Sequence, residues 1–113
     1  MTLYPKFKLW FVDKDGEAIF GEGLAGLLEA IDACGSIFEA SRRVGMSYRY
    51  ALHRISLAEK RLKCKLVIRH RGGVAGGTSE LTAEGKALLM KYRKVEKDLE
   101  NFLKRSNELW NGD

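Results

Sequence analysis

Between residues 22 and 62 the chain is punctuated twice by a glycine with a serine close behind it: Gly35-Ser36 and Gly45-Met46-Ser47. Glycine commonly stands just past a helix end, where the backbone turns left-handed, and serine is a strong helix N-cap. The segment therefore reads as three helices in quick succession. In the first, 22–34, Leu24, Leu27, Leu28, Ile31 and Cys34 fall on one stripe. In the second, about 37–43, Ile37, Ala40 and Val44 point inward, and Ser36 with Glu39 forms a capping box. The third follows Ser47 as "YRYALHRISLAEKRL", with Ala51, Ile55, Ala58 and Leu62 on its core face. Its opposite face carries Arg49, His53, Ser56 and Lys60, with Tyr50 beside them. A helix with a basic and aromatic outer face, behind a short helix and a glycine turn, is a helix-turn-helix pattern.

The flanks read as strands. "KFKLWFV" at 6–12 alternates, with Phe7, Leu9 and Phe11 on one face. "DKDG" at 13–16 is a turn and "EAIF" at 17–20 a returning strand, which predicts an N-terminal β-hairpin. After the third helix, "KLVIRHR" at 65–71 is β-rich and "ELT" at 80–82 can return beside it. Between them lies "RGGVAGGTS". As a nucleotide loop this segment fails, because GxxxxGK[ST] is absent and the loop joins two strands. A plain turn and a wing tip remain. In a wing, glycines let the backbone approach phosphates or a minor groove, and Arg69 or Arg71 supplies charge.

Thr82 can cap a last helix, with Glu84 in its first turn. From there Leu88, Tyr92, Val95, Leu99, Phe102, Ser106 and Leu109 follow a heptad seam with one polar interruption. A helix running to about residue 108 would be about 39 Å long. A domain with so small a core cannot cover all of it. The distal half is therefore expected to pair with another subunit, through Tyr92, Val95, Leu99, Phe102 and Leu109; for the proximal positions Leu88 and Tyr92, packing on the chain's own first helix is the alternative, and it weakens beyond about Val95.

With 113 residues, the chain has room for one domain with a modest core. Residues 1–82 are expected to form the binding unit and 83–113 the linker and dimerisation helix of the same compact body. A net charge of +5 favours a polyanionic partner. No run of 18 apolar residues suggests a membrane span, and no secretory signal is visible at the N-terminus. Two cysteines, Cys34 and Cys64, read as reduced thiols of a cytoplasmic protein. With His53 and His70 they match no metal-ligand spacing. No nucleophile–base pair stands out, so an enzyme is not expected and no cofactor is implied.

"LLEAIDACGSIFEASRRVGMSYRYALHRI" followed by "RGGVAGGTSELTAEGKALL" resembles the N-terminal DNA-binding domain of ModE-type molybdate-responsive regulators, whose winged helix-turn-helix is related to that of LysR-type regulators. The likeness covers about 17–93, and "ELTAEGKALL" alone would fit LysR proteins too. It implies an α+β, mainly α fold: a winged helix-turn-helix with an N-terminal β-hairpin, a β-wing and a long C-terminal dimerisation helix. It also implies sequence-specific binding of double-stranded DNA as a homodimer. In that family the molybdate-binding part lies beyond this region, so molybdate and tungstate are not expected to bind this chain.

On the third helix, Arg49 and His53 are assigned to base edges, and Ser47 and Tyr48 to phosphates or the groove wall, with Tyr50, Arg54 and Lys60 alongside. Ser36 and Arg42 stand ready for the backbone, and the wing offers Arg69, Arg71, Gly73 and Gly76. The rival reading is a winged-helix protein-interaction module using the same basic face or the long helix. Acids interrupting the basic surface would favour it.

Overall fold

The computed structural model describes residues 2–72 and 77–111, with side chains described as far as Asn107. Its elements run β1 (Trp10–Val12), β2 (Ala18–Gly21), α1 (Glu22–Cys34), α2 (Ile37–Arg43), α3 (Tyr48–Leu62), β3 (Val67–His70), β4 (Thr78–Leu81) and α4 (Ala83–Asn111). The three predicted helices stand at their predicted bounds because their ends are set locally. Gly35 adopts φ +72° and donates its N–H to the Ile31 carbonyl, closing α1. Ser36 Oγ accepts from Glu39 N–H, and Ser47 Oγ from Tyr50 N–H, each at 3.1 Å.

α1 is the centre of the core. Leu24, Ala25, Leu27, Leu28 and Ile31 have no solvent exposure. Ile37 and Ala40 of α2, Ala51, Ile55 and Ala58 of α3, and Leu66, Val67 and Leu81 at the base of the β3–β4 hairpin complete one cluster with them. Burying an aliphatic side chain fully contributes about 1.5–3 kcal/mol, so this stripe fixes which face each helix turns inward. The strands form two separate antiparallel pairs, β1–β2 and β3–β4. The second is the predicted wing, with Val67 opposite Leu81 and His70 opposite Thr78.

Three expectations need correction. The N-terminal strand spans 10–12 rather than 6–12, and Phe7, expected on its buried face, is exposed. β2 is only four residues long and offers no partner further back; Pro5, Lys6 and Phe7 instead lie near Glu100 and Leu103 of α4. Leu62, expected in the core, is 38% exposed. It is the last residue of α3, and Lys63 behind it turns the chain into the left-handed region at φ 58°. Tyr92, expected at a subunit interface, is 1% exposed within the chain itself. Its ring packs edge-on against Phe11 and Phe20 at 5.3 and 5.2 Å, and its hydroxyl donates to the Leu9 carbonyl at 2.7 Å. Burial pushes its ionisation up. The proximal half of the heptad stripe thus serves the chain's own core.

Arg93, next along α4, clamps that helix to α1. Its guanidinium donates to Glu22 and Glu29 at 2.7 Å each and to Glu96 at 3.0 Å. The Arg93 hydrogen bond holds the Glu29 carboxyl below its ordinary range.

The wing and α4 are both tied to the backbone of Leu66. Leu66 N–H donates to Glu59 Oε2 at 2.8 Å, and Val67 N–H to the same oxygen at 3.2 Å. The Leu66 carbonyl accepts from Thr82 N–H at 2.9 Å. Thr82 Oγ1 donates to the Lys65 carbonyl at 2.7 Å and accepts from Gly85 N–H at 2.9 Å, capping α4 as predicted. Gly85 has no room for a side chain: a Cβ there would overlap the Leu66 carbonyl oxygen.

Gly85→Ala should cost about 1–3 kcal/mol, since backbone must move to admit the methyl. Gly26→Ala, whose Cβ would meet nothing closer than 3.9 Å on α1, should gain up to about 1 kcal/mol from helix propensity. Urea unfolding of both variants checks the pair; a neutral Gly85→Ala would contradict the packing at Leu66. Glu59→Ala leaves two partly buried amides without their acceptor and should cost about 2–4 kcal/mol by the same measurement. A loss under about 0.5 kcal/mol, the range of an ordinary surface change, would show that the carboxylate does not hold the wing.

Candidate nucleic-acid interface

The turn between α2 and α3 is short and bonded back onto α2. Gly45 adopts φ +77°, and its N–H and that of Met46 donate to the carbonyls of Arg42 and Ser41 at 3.2 and 2.9 Å. Ser41, buried beneath it, donates to the Phe38 carbonyl at 2.7 Å. This fixes how α3 leaves α2 with Ala51, Ile55 and Ala58 inward. The face left outside carries Tyr48, Arg49, Tyr50, His53, Ser56 and Lys60, all exposed. The side chains of Arg49 and His53 form no hydrogen bond or ion pair among the described residues.

The only carboxylate of α3 does not share that face. Glu59 is 12% exposed and turned to the start of the wing, where Lys65 also approaches it at 3.6 Å. The exposed surface of the helix is therefore uninterrupted by acids. Arg54 is half-buried at its edge. Lys60 stands twelve residues beyond Tyr48, about 18 Å further along the axis.

The wing sits against the start of α3. Ser79 N–H on β4 donates to the Gly35 carbonyl at 2.8 Å, which pins the hairpin to the α1–α2 corner. Arg69, opposite Ser79, donates from Nη2 to the Tyr48 hydroxyl at 3.2 Å. Ser36, Phe38, Tyr48, Arg69 and Arg71 line one cleft of about 700 Å³ between α2, α3 and the wing. Beyond Arg71, at Gly77, a Cβ would stand 2.8 Å from the His70 carbonyl, so one glycine after the loop is there for close approach. His70 pairs with Glu80 across the strands at 3.2 Å.

Among the residues predicted for this surface, Ser36, Tyr48, Arg69 and Arg71 are thus brought together, and Ser47, Arg49, Tyr50 and His53 adjoin them on α3. Arg42 is exposed at the end of α2, where it and Arg43 approach Glu39 at 3.5 and 3.6 Å. Gly73 and Gly76 lie outside the described residues, and so does the side chain of Leu109. The sequence reading missed Phe38. Its ring is 57% exposed and packs edge-on against Tyr48 at 5.8 Å. The available signal was its position off the Ile37–Ala40–Val44 stripe. His53, His70, Cys34 and Cys64 are not assembled into a site, and no group of three or more potential metal ligands occurs among the described residues. None of their helices is long and apolar enough to cross a membrane.

Residues 25–86 match the family model of the bacterial regulatory helix-turn-helix proteins of the lysR family. The molybdenum transport protein ModE of Azotobacter vinelandii is 33% identical over 100 residues, 88% of this chain and 37% of that relative. The molybdenum-pterin-binding protein MopB of Rhodobacter capsulatus is 34% identical over 92 residues, 81% of this chain and 34% of that relative. The chain therefore spans little more than a third of the curated relatives it matches. Among solved structures, the DNA-binding domain of CbnR in its DNA complex superposes with a TM-score of 0.61 over 78% of this chain and 95% of that one, at 23% identity. Helix order, wing and matched residues agree: the chain fits the N-terminal winged-helix domain of ModE-type regulators, and it belongs to the lysR family of bacterial regulatory helix-turn-helix proteins.

Proposed function

We propose that the protein binds double-stranded DNA sequence-specifically as a homodimer and acts in the cytoplasm as a transcriptional regulator of the ModE-like class. The observation that carries this reading is the acid-free outer face of α3, with Arg49 and His53 unengaged, beside a wing that presents Arg69 and Arg71. An α-helix fits the major groove, where arginine can pair with guanine O6 and N7. Arg49 and His53 would read base edges there. Arg69 and Arg71 would hold phosphates across the adjoining backbone, where positive charge adds affinity without sequence information.

In this division of labour residues 1–82 bind DNA and 83–113 pair the subunits. On the distal half of α4, Leu99 and Phe102 are 36% and 56% exposed, and Val95 is half-buried beside them. Such a stripe beyond the core is what a second copy of the helix would cover. Molybdate and tungstate would not be held by these residues, and calorimetry with either oxyanion should show no stoichiometric heat.

Two measurements test the reading. Arg49→Ala should cost about 1–3 kcal/mol on a cognate duplex and much less on random DNA, while Arg71→Ala should weaken both alike and flatten the salt slope by about 1 per subunit. Equal losses on the two DNAs for Arg49→Ala would remove it from base readout, and no loss for either variant would favour the protein-interaction module. Polar substitution of Leu99 and Phe102 together removes two seam contacts worth roughly 1.5–3 kcal/mol each if fully buried. Sedimentation should then show monomer; an unchanged dimer would exclude this interface.

A further inference from the structure

Three elements meet at one exposed phenol. Tyr48 opens α3, Phe38 stands on α2, and Arg69 lies on β3 of the wing. The Tyr48 hydroxyl accepts from Arg69 Nη2 at 3.2 Å, across 21 residues of sequence. On its other side the Tyr48 ring meets Phe38, with centroids 5.8 Å apart and the planes inclined at 64°. Tyr48 is 37% exposed and contributes little to the core, so this arrangement is not explained by folding alone. The backbone beneath Arg69 is already fixed, because Ser79 opposite it is bonded to Gly35. What the fold leaves undetermined is the long, flexible Arg69 side chain in water. The phenol removes that freedom. Phe38 limits how far the phenol can turn, and one of the five guanidinium donors is used, leaving four for a ligand.

We propose that Tyr48 is a positioning residue for the wing: braced by Phe38, its hydroxyl holds the Arg69 guanidinium in the cleft between α2, α3 and the wing, so that the phosphate-binding group is in place before DNA arrives. The inference rests on the DNA-binding reading and deepens it. A group fixed in advance loses less rotamer freedom on binding, which raises affinity without adding a contact. It also joins the wing and α3 into one surface, so that the two dock together.

The test is a double-mutant cycle on DNA affinity with the full chain: wild type, Tyr48→Phe, Arg69→Ala and the double variant, on cognate and random duplexes across a salt series. Tyr48→Phe keeps the ring against Phe38 and removes only the hydroxyl at an exposed site, and thermal melting should confirm that the fold is unchanged. In the wild-type background it should weaken both duplexes by about three- to tenfold, the range of one net hydrogen bond. In the Arg69→Ala background its effect should vanish, because the group it positions is gone. Arg69→Ala should flatten the salt slope by about 1 per subunit, and Tyr48→Phe should leave the slope unchanged because the charge remains. The same fold-loss in both backgrounds would overturn the proposal, since Tyr48 would then touch DNA itself. No loss in the wild-type background would overturn it as well. Failure of the wild-type protein to bind any duplex would instead overturn the DNA-binding reading, and this inference with it.

Discussion

The backbone of Leu66 is the point on which the geometry of the molecule depends. Its side chain is buried in the core, and its polar N–H and C=O go in with it. Burying such groups unpaired costs several kcal/mol, so each must find a partner where it stands. Glu59 on α3 supplies the acceptor, Thr82 ahead of α4 supplies the donor, and Gly85 lets α4 lie directly against the carbonyl. One residue thereby fixes α3, the wing and the long helix relative to one another. The physical sense of "ELTAEG" is visible here: Leu81 fills the core, Thr82 bonds the segment ahead of β3 to the first turn of α4, and glycine is the residue that fits at 85.

A consequence reaches the outer surface. A carboxylate spent on Leu66 and Val67 is withdrawn from the face of α3 that carries Arg49 and His53. The interaction that anchors the wing also leaves the outer face of α3 free of negative charge. Fold and electrostatics here are two results of one side-chain placement. The Arg93 clamp has the complementary effect on the far side, where it gathers Glu22, Glu29 and Glu96 between α1 and α4.

Much of this was legible in the sequence wherever the signal is local. Caps at Gly35, Ser36 and Ser47 act within one turn, and the helices they bound stand where the spacing put them. The wing was legible as a glycine loop between two β-rich runs. Three signals misled because they needed knowledge of a partner. Alternation at 6–12 suits a strand, but β2 is too short to pair with its first half. Leu62 has the right angular position on α3, yet the helix ends there. The 4-3 spacing of α4 is continuous through Tyr92 and Leu99, although the first faces the chain's own aromatics and the second faces outward. Phe38 was legible only as a residue off the inward stripe of α2 and Glu59 only as one flanking the core face of α3, because the partners of both lie on other elements.

In the proposed function, α3 and the wing form one preassembled surface for duplex DNA. Amide chemical-shift mapping with a cognate duplex tests it most directly. Shifts should concentrate at 47–56 on α3, at 69–72 and 77–79 on the wing and at 36–38 on α2, and rise together along one titration curve. Shifts confined to the distal half of α4 or to the β1–β2 hairpin, with α3 and the wing unmoved, would contradict the account.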